Sequence, residues 1–327
     1  MITKRQIMGG LAGLGFAGAT QAQSLSDRLS GDLSPVHDPC IIKDKDVYHL
    51  FSTSQLREGG LIFWRTSPDL VTWTLKGHVL REFPKWVTDA VPGTRGAWAP
   101  DIAFFNGKFH LYYSASTFGS NRSVIGLLTS PTLDTSDPAF GWKDEGVVVE
   151  SDVHNRYNAI DSNYLIDAQG KHWIAFGSFW SGIQLFEADP KTGKPKNRVK
   201  KPKNIASRPM PGAVEAPFII RRGEWYYLFA SYDFCCKGVN SSYYTVVGRS
   251  AAVEGPYVDD KGVKLLDGGG RMVLQADERW KGPGHCAVFE DAGVHYIVYH
   301  SYDGQAGGRP TLRIQALNWT VDGWPTV

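Results

Sequence analysis

The 327 residues suffice for two ordinary domains or one large all-β domain, and a chain that is 42% hydrophobic and 21% charged has the balance of a globular protein with a sizeable core. Its 35 basic and 33 acidic residues leave a net charge of +2, which gives no electrostatic case for binding nucleic acid or an anionic membrane. Eleven Trp, 14 Tyr and 16 Phe suit strands and sugar-binding clefts, and 36 Gly with 18 Pro imply many turns.

The chain opens with "MITKRQIMGGLAGLGFAGATQA". Lys4 and Arg5 precede a short apolar run rich in Gly and Ala, then small residues up to Ala22. This is the layout of a secretory signal over residues 1–22, and its apolar part is too short to span a bilayer. Residues 23–327 are then the mature domain, exported and either secreted or periplasmic. Removing Lys4 and Arg5 leaves the acidic and basic residues equal in number. The densest basic stretch, "KTGKPKNRVKKPKN" at 191–204, is broken by Pro and Gly and reads as a solvated loop. Cys40, Cys235, Cys236 and Cys286 are too few for a disulfide scaffold and lack the paired spacing of a zinc site. The adjacent Cys235 and Cys236 are open to a vicinal disulfide or to two free thiols.

Five segments share one pattern: "HDPCIIKDKDVYHLFSTS" from 37, "APDIAFFNGKFHLYYSAS" from 99, "AIDSNYLIDAQGKHWIAFGSF" from 159, "VEAPFIIRRGEWYYLFASY" from 214 and "GHCAVFEDAGVHYIVYHSY" from 284. Each begins near an ionisable residue: Asp38, Asp101, Asp161, Glu215 or His285. An apolar strand follows, then a turn signal such as Asn106-Gly107 or Ala292-Gly293, then an aromatic strand ending in small polar residues. Further strand-like runs, at 59–67, 123–130, 182–189 and 244–250, lie between these hairpins. The anchors are 63, 60, 54 and 70 residues apart. About four strands per repeat at regular spacing is the signature of a propeller blade. The expected fold is all-β, a five-bladed β-propeller in a single domain, with the active site at one end of the central channel. The innermost strands line that channel, so the five anchors should converge there. Converging carboxylates suit a metal site, an acid/base pair or a ring of structural caps. Hydrolysis of a glycosidic bond requires two of them across the scissile bond, one protonated and one ionised.

The motifs "HDP" at Asp38, "WAPD" at 98–101, "STFGSNRSVIGLLTS" at 116–130, "NAID" at 158–161, "VEAP" at Glu215, "FCCKGVNSSYYTVVGRS" at 234–250 and "GPGH" at 282–285 occur in that order over nearly all of the mature chain. Together they resemble glycoside hydrolase family 43, and within it the endo-1,5-α-L-arabinanases. The resemblance implies an inverting hydrolase of internal α-1,5 links in arabinan, a pectin side chain. It implies Asp38 as general base, Glu215 as general acid and Asp161 as the carboxylate that orients the acid and raises its pKa. It also implies His285 at a bound metal, calcium, with a structural or pKa-tuning part. Asp101 falls outside that triad and reads as structural. Substrate contacts are expected from Asp38, Asp161, the rings of Trp98 and Phe118, and the polar side chains of Asn158 and Ser178. The family pattern continues "NAID" with Pro, where Ser162 stands here.

No organic cofactor, nucleic acid or membrane partner is expected, and the protein is expected to act as a monomer. The chain ends soon after its fifth repeat, so no added domain is expected to block the cleft. Two rival readings remain. An exo-acting α-L-arabinofuranosidase or β-xylosidase of the same family would release single sugars from the start. A non-catalytic carbohydrate-binding propeller would be indifferent to loss of Asp38 or Glu215.

Overall fold

The computed structural model describes residues 24–197 and 201–327; the expected leader, residues 1–22, lies outside them. Five antiparallel sheets form five blades. From the axis outward, blade 1 runs Cys40–Asp44, Val47–Ser52, Leu61–Ser67 and Thr72–Leu80. Blade 2 runs Gly96–Phe105, Lys108–Ala115, Ser123–Ser130 and Lys143–Ser151. Blade 3 is Asn163–Ile166, His172–Phe176, Ile183–Ala188 and Lys203–Ala206. Blade 4 is Val214–Arg222, Trp225–Tyr232, Tyr244–Ser250 and Arg271–Leu274. Blade 5 is Trp280–Asp291, Val294–Asp303, Arg309–Trp319 and Pro325–Thr326.

The turn chemistry acts where it was expected. Asn106-Gly107 and Ala292-Gly293 carry φ values of 49°, 69°, 50° and 78°, the doubly positive pair that a tight hairpin requires. They close the pairs Phe105↔Lys108 and Asp291↔Val294. Blade 3 differs, because its first hairpin needs five residues between Ile166 and His172. The Asp167 carboxylate organises that loop by accepting from the Gln169 and Lys171 amides and the Trp173 indole.

The hydrophobic core is five layers, one between each pair of neighbouring blades. The layer joining the first and last blades contains Val36, Leu50, Trp73, Val298 and Ile314. Among the described residues no strand is shared across that joint. The N-terminal segment closes it instead. The Ser26 hydroxyl donates to the Ile314 carbonyl, Leu312 N–H to Leu33 O and Val36 N–H to Pro310 O, while Ser30–Gly31 pairs in parallel with Thr72–Trp73. Arg65, 1% exposed, pins this segment. Its guanidinium donates to the Asp32 and Pro35 carbonyls and to the Ser52 hydroxyl.

Replacing Arg65 would strand three acceptors and leave a cavity. Arg65→Ala is therefore expected to cost about 2–4 kcal/mol of stability, read as a lower urea midpoint. An unchanged midpoint would show that the segment does not depend on the guanidinium.

Candidate active site

Each innermost strand has, within it or two residues before it, one non-glycine residue in the left-handed region: Asp38, Ala99, Asp161, Ala216 and His285, with φ between 43° and 60°. Such a conformation costs an ordinary residue about 1–2 kcal/mol, and the neighbouring blade holds it in place. The Asp38 amide donates to His300 Nδ1, Ala99 N–H to Thr53 Oγ1, Asp161 N–H to Ser114 Oγ, Ala216 N–H to an Asp161 carboxylate oxygen and His285 N–H to Ser231 Oγ. Five hydrogen bonds, one per blade junction, thus form a ring around the channel. Thr53, Ser114 and Ser231 sit within one residue of the end of a second strand, where the sequence places small polar residues, and His300 sits three residues before such an end.

This ring corrects the expected equivalence of the five anchors. Asp38, Asp161 and His285 do share one backbone position. Glu215 stands one residue earlier than its blade's left-handed residue, and Asp101 two residues later. In blades 2, 4 and 5 a break in register follows Trp98, Glu215 and Gly284, and such bulges re-aim side chains beside active sites.

Asp38, Asp161, Glu215 and His285 converge. Asp38 Oδ1 lies 2.7 Å from His37 Nδ1, 3.1 Å from His285 Nδ1 and 3.7 Å from His300 Nδ1, and its Oδ2 accepts from Thr53 at 2.6 Å. Glu215 accepts the Ser178 hydroxyl at 2.6 Å. All three carboxyl groups are buried, so ionisation of each depends on its partners.

Burial works to raise the Asp38 pKa, but the charges and hydrogen bonds of His37 and His285 outweigh it and hold the carboxyl well below the usual range. Burial raises Asp161 well above that range, with the like charges of Glu215 and Asp38 adding to it and His285 opposing. Glu215 is raised by burial and by Asp38, against the Ser178 and Tyr243 hydroxyls and His285. Burial works to lower His285, and Asp38, Asp161 and Glu215 together lift it to about 9. His300 is driven well below the ordinary imidazole range by burial and by the neighbouring His37 and His285, against Asp38. One end of the channel thus holds an ionised carboxylate beside two carboxyls biased towards the protonated form. That pairing is what general acid/base chemistry requires.

Of the other expected residues, Ser178 touches this cluster through Glu215. Trp98 is half-buried and Phe118 is 82% exposed, with ring centroids 6.0 Å apart in an edge arrangement. Asn158 and Ser178 are buried, and each accepts or donates within the protein: Asn158 Oδ1 takes the Ser123 hydroxyl, and Ser178 serves Glu215. Asp101 receives the Tyr164 amide and the Asn163 side chain, tying blade 2 to blade 3, and burial lifts it to about 7. Ser162 is buried, and among the described residues its hydroxyl has no partner. Cys235 and Cys236 form a vicinal disulfide, while Cys40 and Cys286 are free and buried. His37, His300, Thr53 and Tyr243 escaped the sequence reading.

The donor set around His285 does not fit a calcium cage. Calcium takes six to eight oxygen ligands, and His285 offers one ring nitrogen, its Nδ1 being turned to Asp38. Among the described residues, the clusters able to share one ion are His37–Asp38–His300 and His37–Cys235–Cys236. Neither includes His285. In the first, His37 Nδ1 is engaged by Asp38 Oδ1 and His300 Nδ1 by the Asp38 amide, and in the second the sulfurs are bonded to each other.

The propeller and its buried carboxylates define a glycoside hydrolase, and residues 34–325 match the model of glycosyl hydrolases family 43. The chain belongs to that family. It is 41% identical over 317 residues to an extracellular endo-α-(1→5)-L-arabinanase of Bacillus subtilis, covering 96% of this chain and 94% of that protein. A solved exo-1,5-α-L-arabinanase from a bovine ruminal metagenomic library superposes with a TM-score of 0.85 at 43% identity, over 91% of this chain and 98% of that one. A Cellvibrio cellulosa α-L-arabinanase solved with arabinohexaose gives 0.85 at 36% identity, over 90% and 96%.

Linkage fixes how the cluster affects stability. The folded pKa of His285 is about 9, above the ordinary value of about 6.5. Its stabilising contribution is complete below the ordinary value and is lost as pH rises through about 9. Raised Asp161 and Glu215 act in the same direction, losing stability as pH rises above the ordinary carboxylate range. Depressed Asp38 contributes above that range and loses its share as pH falls through its own pKa. The urea midpoint of the native protein should therefore decline on the alkaline side, and less steeply in Asp38→Asn. Equal alkaline slopes for the two proteins would contradict the cluster.

Proposed function

We propose that the chain is an exported, endo-acting arabinanase that hydrolyses internal α-1,5-L-arabinofuranosidic bonds with inversion. The observation that carries this reading is the opposite bias of two buried carboxyls in one cluster, Asp38 towards the anion and Glu215 towards the acid. Asp38 takes a proton from water as the water attacks the anomeric carbon. Glu215 gives its proton to the departing glycosidic oxygen. Asp161 accepts the amide that follows Glu215 in the chain and so orients the acid, while burial and the charge of Asp38 favour its protonated form. The exposed Phe118 ring, with Trp98 beside it, offers a face for a furanose unit. The extracellular Bacillus subtilis relative at 41% identity supports both arabinan and export.

The names of the relatives include both endo and exo enzymes, so product length decides between these modes. Timed chromatography of linear arabinan digests should give a ladder of oligosaccharides in the first minutes; arabinose alone from the outset would make the enzyme exo-acting. The first anomer formed should be β by NMR, and an initial α anomer would replace inversion with retention. Asp38→Ala and Glu215→Ala should each lose turnover by about 10³-fold or more while still binding polymer. Full activity of either would remove that residue from the mechanism, and full activity of both would leave a propeller whose carboxylates are only structural.

The pH–rate profile should be bell-shaped. Its acid limb should fall below the ordinary carboxylate range, set by Asp38, and its alkaline limb above that range, set by the coupled Glu215 and Asp161 pair. We further propose that the protein acts as a monomer, which sedimentation tests. Any axial calcium would owe most of its shell to solvent, which chelation followed by elemental analysis and assay tests.

A further inference from the structure

The ring of hydrogen bonds around the channel has one member unlike the rest. At three of the five junctions the acceptor is a Ser or Thr hydroxyl, from Thr53, Ser114 or Ser231. At a fourth it is the carboxylate of Asp161. At the junction that carries Asp38 it is an imidazole, His300. Cross-strand register shows that this is the same slot. Ser114 lies opposite Trp98, Ser231 opposite Glu215 and His300 opposite Gly284, in each case the residue just before the left-handed one. A hydroxyl would satisfy the strap, so the ring must have another use.

Its surroundings show one. His300 is fully buried among three rings, with His37 stacked on it at 3.8 Å and 24°, Tyr302 edge-on at 5.3 Å and Tyr243 at 6.0 Å, and the Tyr302 hydroxyl also meets His37 Nε2 at 2.7 Å. His37 in turn holds Asp38 Oδ1 at 2.7 Å. The glycine opposite leaves the space: a Cβ at Gly284 would come within 2.2 Å of the Tyr243 ring. Because Nδ1 accepts the Asp38 amide, the ring proton sits on Nε2, which is buried and without a partner among the described residues. A stranded N–H in the core is costly and is consistent with a ring kept for its position.

We propose that His300 is a positioning residue for Asp38, acting by two routes: Nδ1 fixes the backbone of the left-handed residue, and the ring face carries His37, which grips the carboxylate. The inference rests on the reading of Asp38 as general base. The two routes separate in two variants, each missing one of them. His300→Phe keeps a stacking face and removes the acceptor, whereas His300→Asn keeps an acceptor near the place of Nδ1 and removes the ring.

Both variants are assayed on linear arabinan beside Asp38→Ala, with folding followed by circular dichroism. Each is expected to lose about ten- to a hundredfold in kcat with KM within about twofold of the native value, the mark of a misplaced reacting group. Folded variants with native kcat, or losses confined to KM, would overturn the proposal. Should one variant fail to fold, the other decides. Nitrogen-15 NMR of the native protein gives an independent reading: His300 should be the neutral Nε2–H tautomer, and a proton on Nδ1 would overturn the proposal whatever the variants do. Turnover by Asp38→Ala would instead reject the base assignment itself. An inactive Asp38→Ala beside fully active His300 variants would reject only the inference.

Discussion

Three carboxyl groups meet in a place that water scarcely reaches, and the rest of the site follows from the need to compensate them. An isolated buried carboxylate is strongly disfavoured, so Asp38 stays ionised only because His37 and His285 face one of its oxygens and Thr53 the other. The same burial, opposed by His285 only in part, biases Asp161 and Glu215 towards the neutral form. A single condition, low access to solvent, therefore produces opposite protonation states, depending on which side chain has imidazoles beside it. His285 belongs to this arrangement as the charged counterpart of Asp38. Its place at the channel axis is explained by that contact.

The architecture serves the same end. Each innermost strand has a left-handed residue within it or just before it, and each such residue is tied to the preceding blade by one side chain. This arrangement fixes the backbone on which the acids are mounted, and rigid elements place reacting groups more accurately than loops do. The departures from the pattern fall at the acids themselves. His300 replaces a hydroxyl behind Asp38. Asp161 supplies the strap to Ala216, leaving Ser178 free to serve Glu215.

Much of this was legible in the sequence. Alternating apolar and aromatic runs bounded by Asn-Gly and Ala-Gly turns identify the hairpins, and their recurrence identifies five blades. The ordered motifs identify the three acids. What the sequence hid was register. Aligning the repeats by residue type put Glu215 and Asp101 level with Asp38, but the equivalent positions are Ala216 and Ala99, because the left-handed turn and the bulge after it are backbone features without a fixed side chain. The polar residues closing each second strand were visible as "STS", "SAS", "ASY" and "HSY". Their part in tying blades together was not, since it needs the neighbouring blade to be in place. His300 looked like one more residue of an aromatic strand, and the hydrogen bond from Ser178 to Glu215 was not visible either.

The joint between the first and last blades bears on how the molecule is made. Ser26 meets Ile314 and Val36 meets Pro310, so contacts that seal the circle link the earliest described residues to nearly the latest. A growing polypeptide cannot complete its first blade's flank until the fifth has emerged from the ribosome. Until then the layer containing Leu50 and Trp73 has no opposite wall. The other four layers lie between blades that follow one another in the chain, so closure of the circle at this one joint is the step that must come last.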